Sequence, residues 1–110
     1  IDLLAPYAKG GKIGLFGVRD TSILSDYVKS TLGVLMEYDR KNNTDYVQTL
    51  RVYLDSNGSV QQVAQKLNFH RNTVNYKMKM IREILQTELR DTDKMNYMLA
   101  FCIMEMLGAV

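Results

Sequence analysis

The chain has one cysteine, one histidine, one proline and no tryptophan in 110 residues. A lone Cys102 excludes an internal disulfide and a cysteine-based zinc site, and it fits a reducing compartment. A lone His70 has no second histidine to share a metal ion, and residues 56–82 contain no Asp or Glu at all. His70 therefore has no nearby ligand partner and no adjacent carboxylate to orient it as a general base. No apolar run reaches the length of a membrane span. The opening "IDLLAPYAKGGK" has no basic leader ahead of an apolar stretch, so no signal peptide is expected. These absences point away from an enzyme, a metalloprotein and a membrane protein, and toward a cytoplasmic chain with no cofactor. An initiator methionine is also missing, so the chain is expected to be a fragment of something longer.

What is present is ordinary in amount and uneven in placement. Hydrophobic residues make up 46% and charged residues 24%, as in a globular domain with one modest core. The net charge of +2 hides a strong local imbalance. Residues 1–55 carry seven acids and seven bases, residues 56–82 carry five bases and no acid, and residues 83–110 carry five acids and two bases. A basic segment inside an otherwise balanced domain is an electrostatic footprint for a polyanion.

Periodicity lays out a mainly α-helical bundle with a short strand at its start. "KIGLFGV" (12–18) is short, apolar and bounded by turn formers, so it reads as a strand. A helix follows, with Asp20 or Thr21 as cap and Ile23, Leu24, Tyr27, Val28, Leu32, Leu35 and Met36 as its apolar positions; Gly33 is a candidate break. Thr44 is the expected cap of the next helix, which places Tyr46, Val47, Leu50, Tyr53 and Leu54 on one face. "DSNGS" (55–59) is the clearest turn, with Asn57 and Gly58 suited to positive φ. Ser59 and Gln62 form a capping-box pattern that opens a short helix from Val60 to about Leu67. A longer helix is expected from about His70 to about Leu89. After a break at "RDTDK", with Asp91 or Thr92 as cap, a last helix should run from Asp93 to Leu107 and stop at Gly108.

Two helices joined by a tight turn, the second one basic, outline a helix-turn-helix over about residues 59–85. Ala64 is the small residue a close crossing needs, and Asn68 tolerates the left-handed turn position that glycine usually takes. Val63, Leu67, Phe69, Val74 and Met78 can lock the pair. At about 100° per residue, a core-facing Val74 brings Met78, Ile81 and Leu85 inward and sends Asn72, Tyr76, Lys79 and Glu83 outward, with Asn75 on the flank. Arg71 lies in the first turn. Arg pairs bidentately with guanine and Asn with adenine, so Arg71, Asn72, Asn75, Tyr76 and Lys79 are the candidate base readers. Ser59, Gln61, Gln62, Lys66, His70, Thr73 and Lys77 are the candidate phosphate contacts, His70 also as a helix cap.

With these residues in place, the chain resembles the carboxy-terminal DNA-binding domain of the PucR/CdaR family of bacterial transcriptional regulators, over roughly residues 32 to 103. "LGVLMEYDR" (32–40) and "TLRVYLDSNGSVQQVAQKLNFHRNTVNYKMKMIREIL" (49–85) carry the likeness. The family typically shows His-Arg-Asn-Thr, an apolar residue, any residue, then Tyr-Arg. His70, Arg71, Asn72, Thr73, Val74 and Tyr76 match, and Lys77 replaces the arginine, keeping charge but losing bidentate geometry. The resemblance implies sequence-specific binding of double-stranded DNA, with a recognition helix at about 71–88 in the major groove, at the output end of a longer regulator of a catabolic operon. It also implies that residues 1–31 are the closing strand and helix of an upstream sensory or GGDEF-like domain, that residues 32–110 are the DNA-binding domain, and that any small-molecule effector binds upstream.

Two rivals can be weighed against this. "GGKIGLFG" (10–17) glances at a phosphate loop, but Gly11, Gly14 and Gly17 miss the G-x-G-x-x-G spacing. Ile13 stands where a Walker motif needs Ser or Thr, and Pro6 where it needs glycine. The other rival is a helical protein-interaction or dimerisation module. "MNYMLAFCIMEML" (95–107) is apolar nearly all round, and such a helix is either buried or shared with another chain. Met95, Met98, Leu99, Cys102 and Met106 are its candidate packing positions, with Cys102 expected as a small core residue. A homodimer of the full-length protein would suit an operator with two half-sites.

Overall fold

The computed structural model describes residues 22–108. The expected strand at 12–18 and the Asp20 or Thr21 cap lie outside the described residues. The rest is five α-helices: α1 (Ser22–Asn42), α2 (Tyr46–Asp55), α3 (Val60–Leu67), α4 (Arg71–Leu85) and α5 (Asp91–Met106).

One core joins all five. Leu32 and Leu35 of α1, Leu50 of α2, Val63 of α3, Val74 and Ile81 of α4, and Ala100 of α5 are completely buried, and Met78 nearly so. In α1 the buried residues Val28, Leu32 and Leu35 recur at the spacing of one helical face. α1 packs along α5, with the Tyr27 hydroxyl donating to the Asn96 carbonyl at 3.3 Å. α2 lies at the centre and touches every other helix.

Gly33 does not break α1. The helix runs through it, and the position a Cβ would take there is open. The boundary expected between residues 31 and 32 falls inside this helix, and Val28, on its amino-terminal side, shares the common core.

Thr44 does not cap α2. Asp39, near the end of α1, does so instead. Its carboxylate accepts from the Tyr46 amide at 3.0 Å and the Val47 amide at 2.9 Å, and the Thr44 hydroxyl donates to the same group. Those amides are among the four a helix leaves unpaired at its start, and a carboxylate also suits the positive end of the helix dipole.

The long basic helix ends at Leu85, short of the expected 88 or 89. Gln86 takes the left-handed region (φ 54°), and the Thr87 amide turns back to the Arg82 carbonyl at 3.1 Å. The Thr87 hydroxyl then donates to Asp93 and accepts from the Leu89 amide at 3.1 Å, so the connection is held and Leu89 is buried. α5 accordingly starts at Asp91, two residues before the expected Asp93, with no side-chain cap on its first turn. Its carboxyl end is followed by Gly108 at φ 72°.

Candidate nucleic-acid interface

The expected interface is built from α3, the turn after it, and α4. Ser59 has extended backbone angles, and its side chain accepts from the Gln62 amide at 3.2 Å. The reciprocal half of the capping box is not made, because the Ser59 amide donates to the Ser56 carbonyl at 3.1 Å. Asn57 (φ 54°) and Gly58 (φ 81°) make the preceding turn as their residue types require. At the end of α3, Asn68 sits at φ 59° and ψ 45°, and the Phe69 amide returns to the Ala64 carbonyl at 2.9 Å. Ala64 and Val63 are buried at the crossing.

His70 caps α4. Its backbone is extended and its Nδ1 accepts from the Asn72 amide at 3.1 Å. The histidine that stood out in the sequence thus has a structural task, to set the start and direction of the helix.

α4 divides into two faces. Val74, Met78 and Ile81 point into the core. Arg71, Asn72, Thr73, Asn75, Tyr76, Lys79 and Glu83 are exposed, Tyr76 by 58%. All five candidate base readers therefore lie on the solvent side of one helix. Among the candidate phosphate contacts, Gln61, Gln62, Lys66, His70 and Thr73 are exposed and Ser59 is half-buried. The Lys66 ammonium donates to the Ser56 hydroxyl at 3.1 Å, across the turn.

Lys77 is the exception. Its side chain is 17% exposed, its ammonium lies 2.7 Å and 2.9 Å from the two carboxylate oxygens of Asp45, and it sits 4.0 Å from the centroid of the Phe69 ring. It faces α2, not solvent. Its phase carried the signal: at about 100° per residue, Lys77 falls about 60° from Val74, on the flank of the buried stripe. Asp45 belonged to no candidate set, and nothing in the local sequence pairs it with a residue 32 positions away.

The candidate packing residues of α5 separate in the same way. Met106 is buried, Leu99 is half-buried, and Met95 and Met98 are 69% and 47% exposed. Cys102 is exposed, not part of the core as expected. A helix that is apolar nearly all round gives no phase by which to place one small residue. Partial burial of the sulfur, and then the Glu105 carboxylate, push the Cys102 thiol above its ordinary pKa. Among the described residues no cluster of three or more His, Cys, Asp or Glu side chains could hold a metal ion. No helix among them is long and apolar enough to cross a membrane.

Comparison with known proteins gives a consistent picture. The family model of the PucR C-terminal helix-turn-helix domain matches residues 46–103, from the start of α2 into α5. Three similar proteins are from Bacillus subtilis (strain 168). The proline-responsive transcriptional activator PutR is 29% identical over 84 residues, covering 73% of this chain and 20% of PutR. The DNA-binding transcriptional activator AdeR is 31% identical over 64 residues, 58% of this chain and 15% of AdeR. The purine catabolism regulatory protein is 33% identical over 70 residues, 64% of this chain and 13% of that protein. The chain thus corresponds to a fifth or less of the length of these relatives. No solved structure matches it significantly.

Proposed function

The chain belongs to the PucR C-terminal helix-turn-helix family, and on that footing we propose that it reads duplex DNA as the output domain of a transcriptional regulator. The observation that carries this reading is the exposed row Arg71, Asn72, Asn75, Tyr76 and Lys79 on a helix whose other face is locked into the core. Amide and guanidinium side chains on a fixed helix can make paired hydrogen bonds to base edges in the major groove. The segment around them, residues 56–82, has five bases and no acid, which draws the domain to the phosphate backbone. Gln61, Gln62, Lys66, His70 and Thr73 flank the reading face as the backbone contacts. Regulation of a catabolic operon fits the proline-responsive and purine-catabolism names of the relatives, and a cytoplasmic location fits an output domain for DNA.

The test is a titration of the chain with its own upstream promoter duplex at two salt concentrations. Tight, salt-sensitive binding is expected. Asn72→Ala should weaken it by roughly 1–3 kcal/mol at the specific site, and Lys66→Ala should weaken all sequences alike and flatten the salt slope by about one. An Asn72→Ala variant that binds like the wild type would remove α4 from the reading role.

A second reading, a protein-contact surface, is favoured by Met95 and Met98, whose large apolar side chains stand exposed on α5. The two are compatible, because α5 packs mainly on α1 and α2, and pairing of two domains in the full-length regulator would match two half-sites. Sedimentation of wild type against Met95→Glu tests it: a dimer lost in the variant supports pairing through α5.

A further inference from the structure

Resting on the DNA-reading role of α4, we infer that Lys77 is a positioning residue: with Asp45 and Phe69 it sets the roll of the recognition helix, and it does not contact phosphate. Charge and helix membership alone would place it with the phosphate ligands. Its surroundings say otherwise. Both carboxylate oxygens of Asp45 accept from the ammonium, at 2.7 Å and 2.9 Å, and the Phe69 ring lies beneath it at 4.0 Å. To reach a phosphate it would have to give up two charge-assisted hydrogen bonds and a cation–π contact, with its own side chain only 17% exposed and that of Asp45 41% exposed.

The anchor is fixed in turn. The Asp45 carbonyl accepts from the Thr49 amide at 3.0 Å and from the Thr49 hydroxyl at 2.9 Å. Thr49 itself is completely buried. The two residues after Asp45 donate their amides to Asp39. Phe69 is the residue just after the left-handed Asn68, so it belongs to the turn between α3 and α4. Lys77 therefore ties the body of α4 to two rigid points, the start of α2 and the turn of the motif. Val74, Met78 and Ile81 fix how deep α4 sits. An off-axis tie on one flank fixes its rotation. Asn72, Asn75, Tyr76 and Lys79 share one rigid helix, so a change of roll moves all four against the base edges at once. Paired hydrogen bonds tolerate little misalignment.

The two roles predict opposite signs for one variant. Asp45→Asn removes the charge that holds the ammonium and keeps a residue type common at helix starts. If Lys77 positions α4, this variant loses discrimination. If Lys77 binds phosphate, it frees a cation and tightens binding to any DNA. Duplexes selected by the wild-type 110-residue chain from a randomised pool are titrated beside scrambled duplexes of the same composition, at several salt concentrations, with Asp45→Asn, Lys77→Met and Lys77→Arg. We expect Asp45→Asn and Lys77→Met each to lower the ratio of selected to scrambled affinity by about tenfold, as for one lost base contact. The salt slope on scrambled DNA should stay at the wild-type value. Lys77→Arg, which can still bond Asp45 and lie over Phe69, should recover most of the ratio. If Lys77→Met fails to fold, Asp45→Asn alone decides. The inference is overturned if Lys77→Met lowers the salt slope by about 0.9 on both duplexes and Asp45→Asn tightens both. A wild type that selects no sequence removes the DNA-reading role and this inference with it. A wild type that selects, beside variants that discriminate as well, removes the inference alone.

Discussion

Asn68 shows how much one residue can tell about a fold. It sits in the left-handed region between α3 and α4, where glycine is the usual occupant. Asparagine reaches that region more easily than other side chains, and the sequence already marked it as the turn. Asn68→Ala should destabilise the chain by about 1 kcal/mol, because the Cβ clash is then met without asparagine's tolerance. Asn68→Gly should change stability by no more than a few tenths of a kcal/mol, as glycine at helix ends generally does. Urea unfolding of the three proteins checks both; an alanine variant as stable as wild type would mean the turn is held by its neighbours alone. Ser59, Asn57, Gly58 and His70 were legible for the same reason as Asn68. Each acts on backbone within three residues of itself. Asp39, Lys77 and Cys102 were not. Asp39 serves amides seven and eight residues on, Lys77 bonds a residue 32 away, and Cys102 stands on a helix with no polar face to orient it.

Among the elements, the existence and order of the helices were readable and their ends less so. The periodic apolar positions of α2 and α4 are buried or half-buried, as are Leu24, Tyr27, Val28, Leu32 and Leu35 of α1, but Ile23 and Met36, expected on the same face of α1, are exposed. The end of α4 was missed because Gln86 is a good helix former, and only the hydrogen bonds of Arg82, Thr87 and Asp93 turn the chain there. α1 departs from its sequence pattern the other way. Gly33 lowers helix propensity, but burial of Val28, Leu32 and Leu35 on either side carries the helix through it. That leaves a correctable weakness. Outside its chain neighbours and the backbone of its own helix, no atom lies within 4 Å of where a Cβ would stand on Gly33, and its φ is not positive. Gly33→Ala should therefore stabilise the chain by about 0.5–1 kcal/mol, chiefly by restricting the unfolded state. A rise in the urea midpoint with an unchanged slope is the expected signature. A fall would mean that the surface at Gly33 is covered in solution.

At the scale of the whole molecule, the question is which residues make up the folding unit that presents α4. The family match begins at residue 46, yet α1 supplies Leu32 and Leu35, both completely buried, to the core that holds Val74 and Ile81. On the proposed DNA-reading role of α4, the reading face is only as fixed as that core, which α1 helps to build. The first half of α1 adds Val28 to the core, and Tyr27 reaches across to α5. A chain that starts at residue 32 would lose both and would open a helix in mid-face with no cap. Burial of a valine is worth about 1.5–3 kcal/mol, and the partly buried Tyr27 adds to it. For a domain of this size each kcal/mol moves the melting temperature by about 4–8 °C. Calorimetry should therefore find the chain from residue 32 melting at least about 6 °C below the full chain. Promoter binding by the shortened chain should weaken on warming in parallel with its melting, since α4 is displayed only while the core is formed. Equal melting temperatures would place the boundary of the unit after the first half of α1 and confine the DNA-presenting core to Leu32 onward.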